Sequence, residues 1–412
     1  MNDSMSERPT GPTPGVNLNL NVRGLKPSAT VAINEVSNRM RAEGKQVFKL
    51  GLGQSPFPVP ASVVSELQTH AHQKDYLQVV GLQALREAVA AYHQRRQGIP
   101  ARADHVLIGP GSKELMFLLQ LVYYGDLVVP TPAWVSYAPQ AAIIGRKVSL
   151  LHSHKDQNYR LTPNLVENLC RSDPDRPRIL VMNYPSNPHG GSYTNDELAA
   201  LAEVARRFRV VVLSDEIYGE LHHDGRYVSI AQYYPEGTIV SSGLSKWCGA
   251  GGWRLGTFTF PADMGWLRRA MAVVASETYT STSAPIQYAA VRAFQSSPDL
   301  DNYLLHSRRV LSALGSWCAK TLNNAGLSTC TPDGGFYLFP CFDAQRDRLA
   351  ARGIHGSAEL CRRLLADTGV AILPGNDFGR PDSELSARIA YVNFDGAQAL
   401  AASQARPEVG AL

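Results

Sequence analysis

The sequence is poor in cysteine and has neither a long hydrophobic run nor a large excess of one charge. Its 412 residues include only 6 cysteines, and no two of them show the C-x-x-C spacing of metal and redox sites. No apolar stretch is long enough for a membrane helix, and residues 1–17 lack the apolar core of a signal peptide. We therefore expect a cytoplasmic protein with reduced thiols, no metal site and no membrane partner.

Charge and glycine spacing exclude further classes of function. The 40 Lys and Arg residues are scattered and are nearly balanced by 36 Asp and Glu, so no nucleic-acid partner is expected. Two G-x-G segments begin at Gly51 and Gly249, but Pro56 and Arg254 stand where a dinucleotide-binding turn has its third glycine. These substitutions exclude a nicotinamide-dependent enzyme of the Rossmann type.

The hydrophobic pattern predicts an α/β fold. Short apolar runs alternate with helical stretches at residues 105–108, 127–130, 178–182, 210–213, 238–241 and 256–260. Continuous apolar strands between helices indicate a mostly parallel sheet covered by helices on both faces. Beyond residue 300 the pattern changes to a long helix and two separate strand-like segments, GGFYLFP and ARIAYVNF, which predict a smaller α+β unit.

The same pattern suggests where the domains begin and end. Residues 1–17 are rich in Pro, Gly and Ser and are predicted to be a disordered arm. Residues 18–60 and 301–412, from the two ends of the chain, are assigned to the small domain. Residues 61–300 are assigned to the large domain, which we expect to bind its ligand beyond the carboxyl ends of the parallel strands.

One loop has the features of a cofactor-bearing lysine. The segment SSGLSKWCGAGGWRLG, residues 241–256, follows a predicted strand and places Lys246 among small residues. Small residues allow a flat ring to approach the backbone, and Arg254 can pair with a phosphate through two hydrogen bonds. Such a lysine suits an imine bond to a carbonyl cofactor. Taken alone, the segment also fits a glycine-rich surface turn.

A second loop supplies an acid and a phenol. The run at residues 210–213 continues into SDEIY, which puts Asp215 at the end of the strand and Tyr218 three positions on. Asp215 can pair with a protonated pyridine nitrogen, which makes the ring an electron sink, and Tyr218 can hydrogen-bond a ring hydroxyl. The structural alternative is a helix-capping Asp beside a packed Tyr.

Three further strands end in loops that suit the same ring. NYPSNPHGG can direct Asn187 toward a ring oxygen, and GPGSKEL opens a helix whose N–H groups can hold an anion. Trp134, in PTPAWVSY, can stack on a ring face. Each signal also has an ordinary interpretation: a Pro/Gly turn, a plain helix start and a core Trp.

Together these loops resemble the class I/II aminotransferases of the aspartate aminotransferase superfamily, which bind pyridoxal 5′-phosphate (PLP) in the fold called type I. GLSKxxGAxGWRLG, from Gly243 to Gly256, is similar to the whole attachment-site pattern of that family, and the resemblance runs in order from about Pro27 to Gly396. It implies a PLP-dependent aminotransferase that moves an amino group between an amino acid and a 2-oxo acid through a Schiff base on Lys246. It also implies a homodimer with shared active sites.

The resemblance assigns expected roles to individual residues. Those implied to be catalytic are Lys246, Asp215 and Tyr218. Those implied to bind the cofactor are Tyr76, Ser112, Lys113, Trp134, Asn187, Asp215, Tyr218, Ser245, Lys246 and Arg254. Those implied to bind the substrate carboxylate are Gly53, Asn187 and Arg388. Tyr76, in DYLQVVGL, is similar to the family tyrosine that reaches the phosphate of the neighbouring subunit.

Reaction type and substrate stay open at the level of the sequence. A PLP-dependent lyase or cyclase, acting by elimination, replacement or ring closure, would use the same cofactor contacts. Lys113 could bind a distal carboxylate, but Glu277 would suit a cationic side chain and residues 276–285 contain no Arg or Lys, so the sequence slightly favours a substrate other than a dicarboxylate. His189 follows the N-P pair of its loop and could also contact substrate. Gly243 offers no hydroxyl to a phosphate.

Overall fold

The computed structural model describes residues 17–406, so the predicted arm lies outside the described residues apart from its last position. The strands are β1 (Phe48–Lys49), β2 (Val106–Gly109), β3 (Asp126–Thr131), β4 (Val148–His152), β5 (Arg178–Asn183), β6 (Val211–Asp215), β7 (Thr238–Gly243), β8 (Gly256–Thr259), β9 (Tyr337–Leu338), β10 (Val370–Ala371), β11 (Leu373–Pro374) and β12 (Ala387–Ala390). The α-helices are α1 (Ala29–Ala42), α2 (Ala61–His70), α3 (Gln83–Gln97), α4 (Ser112–Val122), α5 (Tyr137–Ile143), α6 (Pro163–Arg171), α7 (Asn195–Arg207), α8 (Gly265–Thr278), α9 (Ala284–Phe294), α10 (Pro298–Asn324), α11 (Arg346–Ala350), α12 (Ser357–Thr368) and α13 (Gly396–Gln404).

A seven-stranded sheet lies at the centre of the fold, in the order β2-β8-β7-β6-β5-β3-β4. Strands β4, β3, β5, β6 and β7 run parallel, and β8 is antiparallel to both of its neighbours. The predicted mostly parallel sheet is therefore confirmed. Strand β4 is not among the predicted strands, because this edge strand is only partly buried and its hydrophobic signal is correspondingly weak.

Helices cover both faces of this sheet. Leu127 and Val129 of β3 belong to one core with Leu115 of α4, while Val128 between them belongs to another core with Leu198 of α7. Alternate residues of a strand point to opposite faces, so each face has its own helical layer. Burial on both faces explains why these strands are continuously apolar.

The structure has two further small sheets, and one of them joins the two ends of the chain. Strand β1 pairs in parallel with β10, and β11, β12 and β9 form an antiparallel sheet. The segments GGFYLFP and ARIAYVNF contribute strands as predicted, but only residues 337–338 and 387–390 have strand pairing. The β1–β10 pairing supports the proposed small domain, whose boundaries stay a prediction.

Two chain-wide features bear on the predictions from composition. Over residues 17–406, no helix is both long and apolar enough to cross a membrane. The 6 cysteines are all free thiols, and Cys330 among them is exposed.

Candidate active site

A cavity of about 550 Å³ opens at the carboxyl ends of the parallel strands. Every predicted site residue except Tyr76 lines it, namely Gly53, Ser112, Lys113, Trp134, Asn187, Asp215, Tyr218, Ser245, Lys246, Arg254 and Arg388. Residues from seven different loops and strands thus converge on one cavity, as expected for a ligand site at this edge of an α/β sheet.

Lys246 lies three residues beyond the end of β7, and its side chain reaches into this cavity. Its Nζ donates a hydrogen bond to the Gly53 carbonyl at 2.6 Å. Burial and the positive charge of Arg388 together lower the pKa of Lys246 to about 8, against the opposing effect of Asp215. A minor but substantial fraction of the amine is therefore neutral, and nucleophilic, near physiological pH.

Asp215 is the last residue of β6 and is buried. Its Oδ2 accepts a hydrogen bond from the Tyr137 hydroxyl at 2.5 Å. Burial raises the pKa of Asp215 to about 6, although the hydrogen bond from Tyr137 and the charge of Lys246 act in the opposite direction. A buried carboxylate of this kind is stabilised by a cationic partner, and a protonated ring nitrogen would provide one.

Asn183 ties the loop after β5 to the end of β6. Its Nδ2 donates to the Asp215 carbonyl at 2.8 Å, and its Oδ1 accepts the Asn187 backbone N–H at 2.8 Å. Asn187 in turn accepts a hydrogen bond at Oδ1 from Arg388 at 3.0 Å. One amide side chain therefore connects Asp215 with Asn187, and through Asn187 with Arg388.

The start of α4 forms an anion-binding cradle with the loop after β7. Gly111, the N-cap, has φ +92°, and a Cβ there would overlap Arg254. A Cβ at Gly256 would overlap the backbone nitrogen of Ser112. The two glycines thus let Arg254 and the first N–H groups of the helix converge beside Ser245, an arrangement that fits a phosphate group.

Arg388 also lines the cavity and is fully buried. Its guanidinium lies between the rings of Tyr337 and Phe378, 4.7 and 5.0 Å from their centroids, and donates to the Gly51 carbonyl. Its Nε has no hydrogen-bond partner among the described residues. A buried guanidinium with a donor to spare fits a carboxylate ligand.

Lys113 and Trp134 form one wall. The Lys113 ammonium lies 5.1 Å from the centre of the Trp134 ring, and burial together with the charge of Arg254 lowers the pKa of Lys113. The Trp134 ring stands edge-on to Tyr137, with centroids 5.2 Å apart. An aromatic ring and a second cation are thus available to a ligand that already contacts Arg388.

Three residues considered in the sequence analysis do not line this cavity. Tyr76 is 89% exposed on the surface, and Glu277 is exposed in the last turn of α8. His189 accepts the Gly191 N–H at its Nδ1 over 3.1 Å, and burial lowers the pKa of His189 to about 3. It is a neutral structural residue of its loop.

Three residues that line or support the cavity are absent from the predicted site residues: Tyr137, Asn183 and Tyr337. The first two belong to segments already singled out, PTPAWVSY and NYPSNPHGG, and could have been included as polar groups of the same turns. Tyr337 gave no such signal, because GGFYLFP contains nothing that separates a functional tyrosine from core aromatics.

Comparison with known proteins identifies the class. The family profile described as aminotransferase class I and II matches residues 45–402. Aspartate aminotransferases of Geobacillus stearothermophilus and Bacillus subtilis are 32% and 30% identical over 380 and 381 residues, in each case 90% of this chain and 93% of the relative. A solved aspartate aminotransferase of Thermus thermophilus, with maleate, has a TM-score of 0.84 and 28% identity and covers 95% of this chain and 98% of its own. The chain belongs to the class I and II aminotransferase family.

Family and geometry agree on the cofactor and the reaction. The cavity combines a lysine that is partly neutral, a buried carboxylate and an anion-binding helix start, which are the groups that PLP requires. The protein is therefore a PLP-dependent aminotransferase of fold type I, acting on small amino and 2-oxo acids. The alternative of a lyase or cyclase is not favoured.

Proposed function

We propose that Lys246 binds PLP and that the enzyme uses it to transfer the amino group of an acidic amino acid to a 2-oxo acid. The observation that supports this most strongly is that Lys246 lines one cavity with buried Asp215 and buried Arg388, whose charges both act on its amine. Asp215 can pair with the protonated ring nitrogen of PLP, and Arg388 can pair with the substrate carboxylate.

The geometry of the cavity supports the proposed cofactor-holding roles. When bound, PLP supplies an electron sink for the charge that develops at the substrate Cα. Asp215 would keep the ring nitrogen protonated, and Tyr218 and Asn187 would hold the ring hydroxyl. The ring face would rest on Trp134. The phosphate-binding groups would be the Ser112 and Lys113 amides, Ser245 and Arg254.

Lys246 and Arg388 would carry out the steps on the substrate. Arg388, aligned by Asn187, would hold the α-carboxylate and so direct the Cα–H bond toward Lys246. The neutral amine of Lys246 would remove the Cα proton and return it to the reacting carbon of the cofactor. The Gly53 carbonyl, which accepts a hydrogen bond from Lys246 Nζ, keeps that amine at the carboxylate end of the cavity.

The preference for an acidic substrate rests on Lys113. Its ammonium lines the same cavity as Arg388 and can pair with a second carboxylate, whereas Glu277 is exposed outside the cavity. The relatives named aspartate aminotransferases favour the same choice. We expect Lys113→Met to raise KM for aspartate about 10- to 100-fold, the value of one charged hydrogen bond, and to leave KM for alanine nearly unchanged.

The test is the half-reaction of the purified PLP enzyme with aspartate alone. An acidic-substrate aminotransferase converts its bound cofactor to the amine form and releases one equivalent of oxaloacetate, without added oxo acid. Lys113→Met is compared with Lys155→Met, a lysine that does not line the cavity. An equal loss of activity with aspartate and with alanine would contradict the role of Lys113.

We also propose that the enzyme is a cytoplasmic homodimer with shared sites. The exposed position of Tyr76 supports the dimer, because a phenol outside its own cavity remains available to that of a second copy. Six free cysteines are compatible with a reducing compartment.

A further inference from the structure

Tyr337 of β9 contacts both ends of the predicted site, although no role has been assigned to it so far. Its side chain is 1% exposed and lines the cavity. Its hydroxyl lies 2.8 Å from the Tyr218 hydroxyl, and its ring face lies 4.7 Å from the Arg388 guanidinium. One phenol therefore joins the tyrosine expected at the cofactor ring to the arginine expected at the substrate carboxylate.

The backbone at Gly53 fixes the position of this hydroxyl. A Cβ at Gly53 would overlap Tyr337 Oη, so the hydroxyl rests directly against the backbone of that residue. The same residue accepts the hydrogen bond of Lys246 Nζ at its carbonyl. The Tyr337 ring packs edge-on against Tyr218 and at a tilt against Phe336, with centroids 5.5 and 4.9 Å away, which leaves it little freedom.

The hydrogen bond between the Tyr337 and Tyr218 hydroxyls must have a definite direction. A phenol has a single O–H hydrogen, so Tyr218 can donate to a ring oxygen only if the bond between the two tyrosines is donated by Tyr337. Tyr218 is the sole hydrogen-bond partner of Tyr337 Oη in the part of the chain that the structure describes. The cation on the Tyr337 ring face favours this direction, because withdrawing electron density makes a phenol a better donor.

We propose that Tyr337 is a positioning residue that donates its hydrogen bond to Tyr218 and thereby directs the Tyr218 hydrogen toward the ring hydroxyl of PLP. The face of the Tyr337 ring also packs against the Arg388 guanidinium. One rigid side chain therefore supports both Tyr218, at the ring oxygen of PLP, and Arg388, at the substrate carboxylate. This inference rests on the proposed function, since it requires PLP on Lys246.

Tyr337→Phe removes the hydroxyl and keeps the ring. Without the hydrogen bond from Tyr337, Tyr218 would stabilise a negative charge on the ring oxygen of PLP less. A proton between that oxygen and Lys246 Nζ would then be held more tightly. We expect the pH midpoint of the absorbance change of bound PLP to rise by about 0.5 to 1 unit, or roughly 3- to 10-fold in proton affinity. Lys246, Asp215 and Arg388, the charged groups around the pair, are unchanged in this variant.

Two further variants separate positioning from packing. Tyr391→Phe makes the same change at a buried tyrosine outside the cavity, whose hydroxyl donates to the Gly335 carbonyl at 3.2 Å, and should leave the midpoint at the wild-type pH. Tyr218→Phe should raise the midpoint by itself. Adding Tyr337→Phe to it should then produce no further rise, because the second residue acts through the first.

The outcomes are distinct. A wild-type protein that binds no PLP would refute the proposed function. A wild-type protein with a titrating PLP band, combined with an unshifted Tyr337→Phe variant, would refute only this inference. So would a Tyr337→Phe shift that persists in full in the Tyr218→Phe background, or an equal shift in Tyr391→Phe.

Discussion

At the scale of single residues, the reactivity of the site depends on how the surrounding groups set the pKa of the Lys246 amine. Its amine is partly buried and surrounded by the cations Arg388, Arg254 and Lys113, with Asp215 as the opposing charge. Desolvation and the nearby cations both disfavour the ammonium, which is why the pKa of Lys246 falls to about 8. An exposed lysine would titrate about 2 units higher.

This pKa predicts how apoenzyme takes up PLP. Only the neutral amine attacks the aldehyde, and its fraction grows as pH rises through the pKa of Lys246, so the uptake rate should increase to a plateau just above a midpoint near 8. Stopped-flow absorbance of apoenzyme mixed with PLP measures this midpoint. The control is PLP with a free lysine side-chain analogue, whose rate should keep rising toward about pH 10. An enzyme midpoint near that of the analogue would contradict the role of the buried charges.

At the scale of secondary-structure elements, the site depends on the close approach of α4 to β8. Gly256 begins β8, and a side chain there would collide with the first residue of α4, Ser112. Its own φ lies outside the left-handed region, so any cost of substitution comes from this contact and not from backbone strain. The proposed phosphate cradle therefore requires glycine at position 256.

Gly256→Ala should displace the start of α4. We expect overpacking to lower the free energy of unfolding by about 1–3 kcal/mol and the lost N–H contacts to weaken PLP binding by about tenfold or more. Gly265→Ala is the matched control, since Gly265 begins α8 in a right-handed helical conformation and a Cβ there meets only the flexible end of Arg269. Thermal unfolding and PLP titration measure both effects. Wild-type PLP affinity in Gly256→Ala would contradict the assigned cradle.

The elements also show how far the sequence predicts this structure. Fully buried strands such as β5 and β6 were found within one or two residues, because burial on both faces makes their sequences continuously apolar. The partly exposed β4 was missed. Loop-borne site residues such as Asp215 could be found because they follow such strands. Tyr337 could not, because only the tertiary fold brings β9 against Arg388.

At the scale of the whole molecule, the exposed Tyr76 predicts that each site is completed by a second copy of the chain. The test uses hybrids of two inactive or impaired variants, Lys246→Ala and Tyr76→Phe, assayed at subsaturating PLP. If Tyr76 acts across the interface, each hybrid contains one site with both residues intact, and mixing should restore about half of the wild-type activity per hybrid. If Tyr76 acts within its own chain, no intact site forms.

The control for this experiment is a hybrid of Lys246→Ala with Tyr124→Phe. Tyr124 is also an exposed tyrosine, 78% accessible, and does not line the cavity, so Tyr124→Phe should not lower activity before mixing. Failure of Lys246→Ala with Tyr76→Phe to recover activity, despite hybrid formation seen by native mass spectrometry, would contradict shared sites.

The central claim is that the amine at position 246 carries the cofactor, and reductive trapping tests it most directly. Borohydride treatment of the yellow holoenzyme, followed by proteolysis and mass spectrometry, should place one phosphopyridoxyl group on the peptide that contains Lys246 and leave the Lys246→Ala variant unlabelled at every lysine. A label on another lysine, or a wild-type protein that takes up no PLP, would contradict the account.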